Sequence, residues 1–429
     1  MTDLPGREND PNENPFSMFV DLEQMAAAMR QFADMLSAPS SGPVNWDMAK
    51  HIARRAVATE GDPSVMEGER REIVDALQLA DLWLNEVTTL PSGINSPEAW
   101  SRSEWIEKTV PVWKQLCDPL AERMVETMGG TISSAGLPEE AKAMAGPLIG
   151  MLKQMSGVMV GTQIGQALGT LAGEVVGSSD IGLPLSENAA LLPGGVAKFG
   201  HGLDIPPGEV RIYLALREAA HLRLFNHVPW LRARLIGAVE EYAKGITIDV
   251  SALEEQLGRL DLTNPEAIQE ALTGGAMIKP QETERQKAAL ARLETLLALV
   301  EGWVSTVVDD AATGKLPAAS ALAETVRRRR ATGGPAERTF ATLVGLELRP
   351  RRLREAAALW RALKDARGIE GRDAVWSHPD LMPTAEDLDD PTSFVRGGGD
   401  FDISSLGEGG RDDEGDGPAP GGGDAAPSA

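Results

Sequence analysis

The sequence predicts an all-α or predominantly α protein. Apolar residues recur at spacings of three and four through most of the chain, which is the period of a helix face. Strand-like alternation is scarce; the best strand candidate, Gly245 to Val250 (GITIDV), is β-branched but short. Clusters of Pro, Gly and Ser separate the periodic segments, as helix boundaries require.

In chain order, residues 1–16 are polar and Pro-containing, and they lack the basic segment and apolar run of a secretory signal. They read as a disordered arm. Helices are expected over Phe19 to Leu36, Val44 to Ala58, Val65 to Val87 and Glu104 to Met128, forming an amino-terminal helical region over 17–140. A larger helical region is expected over 141–395. Near its start, Gly157, Gly161, Gly165, Gly169, Gly173 and Gly177 fall on every fourth residue. On a helix they form a stripe without side chains, and each costs ~1 kcal/mol relative to alanine. Close approach of another helix is the expected compensation. A membrane hairpin is the alternative, but Lys153, Gln154, Gln163, Gln166 and Glu174 interrupt the stretch, and no run of about 20 apolar residues exists.

Farther on, Asn264-Pro265-Glu266 reads as an N-cap followed by Pro at the first helical position, opening a helix that Gly274-Gly275 closes. Further helices are expected over Thr283 to Val308 and Pro350 to Ala366. From residue 396 onward the composition turns to Gly, Asp and Pro, with eight acidic residues against the single Arg411 after Gly397. This tail reads as disordered.

Composition narrows the function classes. With 429 residues, 42% hydrophobic and 24% charged, the chain can bury a sizeable core. One cysteine, Cys117, excludes an intramolecular disulfide framework, a Cys-rich zinc ribbon and an iron–sulfur site, and suits a reducing compartment such as the cytoplasm. A net charge of −23 repels phosphate backbones, so nucleic acid is not an expected partner. The run Arg327 to Arg330 then reads as a solvated helix end or a partner for surface carboxylates. There is no P-loop, no GxSxG elbow and no dinucleotide fingerprint.

The remaining chemistry centres on Tyr213 to Arg232. Its middle, Arg217-Glu218-Ala219-Ala220-His221, has the spacing of the HExxH motif with arginine at the first histidine position. Residues i and i+4 share a helix face and let two imidazoles hold one metal, while the intervening glutamate serves a metal-bound water as general base. Bare Glu-x-x-His is a weak signal, and an amphipathic helix with a buried polar contact at His221 is the alternative. His227 follows at a third-ligand offset, but Leu224 occupies the glycine position such a turn needs, and six residues along a continuous helix rotate it away from His221. Glu301 is the only charged residue in Thr295 to Val308. Buried without a partner it would cost several kcal/mol, roughly, so it should face a cation, a metal or water; a solvent-facing helix edge is the alternative. Glu240 and Glu241, about twenty residues beyond His221, are weaker ligand candidates. His51, His201 and His378 read as ordinary histidines, the last in a loop before Pro379.

The strings QIGQALGTLAGEVVGSSDIGLPL, LALREAAHLRLFNHVPWLR, LLALVEGWV and LVGLELRPRRLREAAALW resemble the actinobacterial zincin-like metallopeptidases, whose members are named as hydrolases or zinc-dependent metalloproteases. The resemblance covers about residues 15–395. It implies a zincin-like helical catalytic region, a zinc cofactor, Glu218 as catalytic base, and His221 and Glu301 as metal ligands. Arg217 departs from the intact motif, and Trp303 stands where relatives show histidine in an EGH string. An arginine stays protonated and offers no lone pair to a metal.

Two expectations follow. In one, zinc is held by His221, Glu301 and a further group such as His227, Glu240 or Glu241, and Glu218 activates water for peptide hydrolysis. In the other, Arg217 pairs with Glu301 or Glu218 in place of the metal, and the fold serves as a binding or scaffold module. Either way the expected partner is a protein or peptide, not nucleic acid or a membrane.

Overall fold

One helix is buried on every side: Tyr213 to Phe225 are thirteen consecutive buried residues, and the other elements are arranged around them. The computed structural model describes residues 42–134, 157–244, 283–331 and 352–397. The helices expected over Phe19 to Leu36 and Asn264 to Gly275, the strand candidate Gly245 to Val250, the first arm and the acidic tail lie outside these residues.

The described elements follow in chain order. Helices α1 (Trp46–Glu60) and α2 (Glu67–Leu84) lead to the two-residue strand β1 (Glu98–Ala99) and the long α3 (Arg102–Ser134). Next come α4 (157–172), strand β2 (Ala190–Leu191) and α5 (Pro193–Gly200). The central helix is α6 (Pro207–His227), followed by α7 (Pro229–Lys244). Helices α8 (Glu284–Ala312), α9 (Ala319–Ala331) and α10 (Leu353–Ala374) complete the main packing, with two 3-10 turns and the short α11 (Ala385–Asp389) and α12 (Pro391–Gly397) at the end. The protein is mostly helical, as the periodicity predicts. Among the described residues the strand content is β1 paired in parallel with β2, Glu98 opposite Ala190 and Ala99 opposite Leu191.

Local chemistry sets the boundaries. The Asn45 side chain accepts the Met48 N–H at the start of α1, and Thr283 with Gln286 forms a capping box at the start of α8. Between α6 and α7, Val228 takes an extended conformation (φ −110°, ψ 88°), because the following Pro229 disfavours helical geometry at that position. Within α10, Gly368 (φ 72°) interrupts helical geometry close to the end expected at Ala366.

Packing follows the apolar faces. Helix α2 lies along α6, α8 contacts α6, α7 and α10, and α3 bridges α1 and α7. The glycine stripe does what its spacing predicts. A Cβ on Gly161 would lie 2.5 Å from Asn45 O, and one on Gly165 would lie 2.6 Å from Ala49 O, so α4 seats directly on the α1 backbone. Among the described residues no helix is long and apolar enough to cross a membrane. Trp376 stacks on Trp360 (5.2 Å) and Trp230 (6.1 Å) and meets Trp303 edge-on, joining α7, α8 and α10. Among the described residues one connected hydrophobic core draws on both expected helical regions, with Val44 and Leu388 as its first and last members in the sequence.

Candidate functional site

Successive residues on a helix turn by about 100°, so the charged residues of α6 address different neighbours. Arg217 and His221, four apart, share the face toward α8. Glu218 points to the segment between α4 and β2, and Arg223 points to α2. All four residues are buried, so each needs a partner. Arg223 finds Asp81 (2.7 Å), Asn85 (2.6 Å) and Leu90 O (2.7 Å), which pins α2 to α6.

Glu301, buried on α8, is the meeting point. Its Oε2 accepts from Arg217 Nη2 at 2.7 Å. Its Oε1 lies 2.7 Å from Arg330 Nη2 and 2.8 Å from His221 Nε2. Burial pushes the Glu301 carboxyl up, but Arg330, His221 and Arg217 together outweigh it and hold the group well below the usual carboxylate range. Burial would lower the Arg217 guanidinium, and the Glu301 carboxylate reverses this. His221 Nδ1 lies 2.8 Å from Arg217 O. Both ring nitrogens thus lie within hydrogen-bond distance of an oxygen. Phe225, one turn on, stacks on the imidazole with ring centroids 5.9 Å apart.

A loop closes over this cluster. Gly182 adopts φ 77°, and a Cβ there would lie 3.1 Å from Glu301 Oε1, so the backbone comes closer than a side chain would permit. Arg330 also donates to Asp180 O at 2.7 Å, and Arg329 donates to Glu174 O. The last turn of α9 is thereby fastened to the loop and to α8 together.

Glu218 does something else. Its Oε1 accepts from Ser178 N (3.1 Å), Ser178 Oγ and Ala190 N (3.2 Å), and its Oε2 accepts from Ser179 N (3.2 Å) and Ser179 Oγ (2.6 Å). Five N–H and O–H groups surround the carboxylate, and Ser178 shares its hydroxyl with Asn188 O (3.0 Å) and its N–H with Ala190 O (3.0 Å). Burial nevertheless prevails over these donors and raises the Glu218 carboxyl. Gly177 provides the room, since a Cβ there would lie 2.6 Å from Glu218 Oε2. In this arrangement Glu218 organises the 177–190 loop, and both of its oxygens are engaged by loop groups.

The other sequence candidates lie apart from this cluster. His227 is exposed at the end of α6 and bonds Ser92 O at 2.7 Å. Glu240 sits half-buried on α7, and Glu241 pairs with Arg285 at 2.7 Å. Trp303, two residues from Glu301, projects to the opposite side of α8 and donates to Asp373 Oδ1 at 2.9 Å. His378 is exposed and accepts from Asp380 N, and His51 and His201 are exposed. The sequence reading missed Arg330, Ser178 and Ser179. The arginine run was the available signal for the first; Arg327 and Arg328 do pair with Glu324, as expected of a solvated helix end, whereas Arg329 and Arg330 turn inward.

Zinc, which the motif spacing implies, does not suit these donors. A tetrahedral site needs three protein lone-pair donors around one point. Among the described residues no group of three His, Cys, Asp or Glu side chains converges so as to hold a metal ion. His221 and Glu301 do converge, but two guanidinium groups complete the cluster, and these bring positive charge and no lone pair.

Comparison with known proteins places the fold. A crystal structure titled as a "putative hydrolase with a novel fold", from Chloroflexus aurantiacus, superposes with a TM-score of 0.58 at 20% sequence identity, covering 82% of this chain and 98% of that one. No curated protein matches the sequence. The family profile for zincin-like metallopeptidases matches residues 44–395, which is most of the chain and includes every residue of the Glu301 cluster. With the REAAH helix and the Glu301 helix in direct contact, the chain belongs to the zincin-like metallopeptidase family.

Proposed function

We propose that this chain is a non-catalytic member of its family, a zincin-like binding or scaffold module in which Arg217 and Arg330 take the electrostatic place of zinc. What supports this most directly is the Glu301 carboxylate, which hydrogen-bonds Arg217 and His221 and forms an ion pair with Arg330, all at 2.7 to 2.8 Å. A dication in a zincin site compensates a buried glutamate and fixes a histidine, and here the two arginines serve the same electrostatic need without a Lewis acid. The engagement of Glu218 points the same way, because a general base must come within hydrogen-bond reach of the water it deprotonates. A protein or peptide is the partner class this reading favours, bound without cleavage.

A metallopeptidase-like hydrolase is the second reading. It is favoured by the survival of His221 and Glu301 in contact at 2.8 Å beside Glu218 on one helix, and by the family itself. It requires Glu218 to leave its five donors and both arginines to withdraw.

Metal content separates the two. Elemental mass spectrometry of the purified, untagged chain is expected to find no stoichiometric zinc in the wild type, and zinc bound once Arg217→His is combined with Arg330→Ala. Near one zinc per wild-type chain, with peptide cleavage abolished by a chelator, would sink the module and establish the hydrolase.

A further inference from the structure

Phe225, which stacks on His221, also stands on the wall of a cavity. This cavity, of about 370 Å³, opens between the end of α6, the start of α7, residues 92–95 and the segment leading into β2. Its size is within the range of small-ligand pockets, roughly 300 to 1,000 Å³. Arg232, His227, Asn95, Asn188, Phe225 and Glu187 are on its wall. Among the described residues nothing bonds the Arg232 guanidinium, and its Nη2 is buried. A buried cationic donor without an acceptor is costly and calls for a specific explanation. The walls are braced as well: Asn226 donates to Gly93 O (2.9 Å) and Glu187 O (3.2 Å), which ties the two loops across the end of α6. His227 is held by Ser92 O at 2.7 Å, and Asn188 by Glu98 at 2.7 Å.

We propose that this cavity binds a carboxylate, with Arg232 as its anchor and the amides of Asn95 and Asn188 as flanking groups. A guanidinium presents parallel N–H groups that match the two oxygens of a carboxylate, and Arg232 stands on the cavity wall without an acceptor among the described residues. A monoanion fits better than a phosphate dianion, because Arg232 shares the wall with the acidic Glu187. Free organic acids and the carboxyl end of a peptide both carry this chemistry. The assignment does not rest on the reading of the Glu301 cluster, since no residue of that cluster lines the cavity.

Calorimetric titration of the full chain at low salt tests the site with N-acetylalanine, trialanine and the carboxamide of each. Both acids, or trialanine alone, are expected to bind, each amide at least about tenfold more weakly. Binding of both acids marks a site for free carboxylic acids, and binding of trialanine alone marks one for peptide ends. Arg232→Gln should weaken binding at least about tenfold without lowering the melting temperature, because no existing bond is lost. Asn95→Asp, at an exposed position, should do the same by placing a second carboxylate in the cavity. Equal binding of acids and amides, no binding of either acid at millimolar concentration, tighter binding of inorganic phosphate, or full affinity in both variants would overturn the proposal.

Discussion

Arg217 and Glu301 stand on neighbouring helices with Nη2 and Oε2 2.7 Å apart, both nearly inaccessible to solvent, at 8% and 3% side-chain exposure. The arginine in the first position of the REAAH segment thus reaches a carboxylate on the neighbouring helix. Its alternative partner, Glu218, is committed to Ser178, Ser179 and Ala190 instead. This pairing makes Arg217 a structural residue, with measurable consequences.

Arg217→Ala removes one of the two guanidinium partners of Glu301 and leaves a buried carboxylate short of compensation. Breaking a buried pair in this way costs about 3 to 5 kcal/mol. Urea unfolding should show that loss of stability, and Arg217→Lys should recover only part of it because a lysine lacks the planar fork.

Glu218→Gln separates a structural glutamate from a catalytic one. An amide in place of the carboxylate turns an N–H toward Ser178 or Ser179 and leaves donors facing each other. A loss of about 1 to 3 kcal/mol is expected, with earlier proteolytic cutting of the 177–190 loop. Unchanged stability in this variant would contradict the loop-organising role.

Asp373 predicts an acid response. Burial pushes its carboxyl up, but Arg372, Thr88 and Trp303 outweigh this and hold it below the ordinary value of 3.8. A carboxyl lowered in the folded state contributes stability that is present above its unfolded value and lost as pH falls through the folded one. Unfolding free energy measured from pH 6 down to about pH 2 should fall less steeply in Asp373→Asn than in the wild type.

Gly165→Ala tests the helix contact between α1 and α4. In an exposed helix this change stabilises by ~1 kcal/mol. Here the new methyl would meet Ala49 O at 2.6 Å, Ile52 Cβ at 2.9 Å and Ala49 Cα at 3.0 Å. The sign reverses: a net loss of about 1 to 3 kcal/mol, read as a lower melting temperature.

Much of the fold was legible because its cues are local. Val228-Pro229 marks the break between α6 and α7, Thr283 with Gln286 opens α8, and the glycine period announces a close neighbour. Which helix that neighbour would be was not legible, because the partnership with Ala49 is tertiary. Glu301 stood out by its solitude in an apolar run, and the REAAH spacing placed His221 on the face that meets it. Arg330 did not stand out. Four consecutive arginines point around a full helical turn, and only the fold decides that Arg327 and Arg328 remain with Glu324 while Arg330 turns in. Ser178 and Ser179 are common loop residues whose role depends on Glu218 being brought beside them.

The Asp373 cluster also bears on kinetics. Its carboxylate accepts from Thr88 Oγ1 at 2.6 Å, and the neighbouring Arg372 donates to Val87 O, each across 285 residues of chain. Closing a flexible loop of that length costs about 5 kcal/mol of chain entropy beyond the shortest closures. On this ground the two bonds are expected to form after the intervening helices have docked, outside the folding transition state. Weakening them should leave the folding rate nearly unchanged and accelerate unfolding, so that the Thr88–Asp373 contact governs the lifetime of the native molecule more than the speed at which it is made.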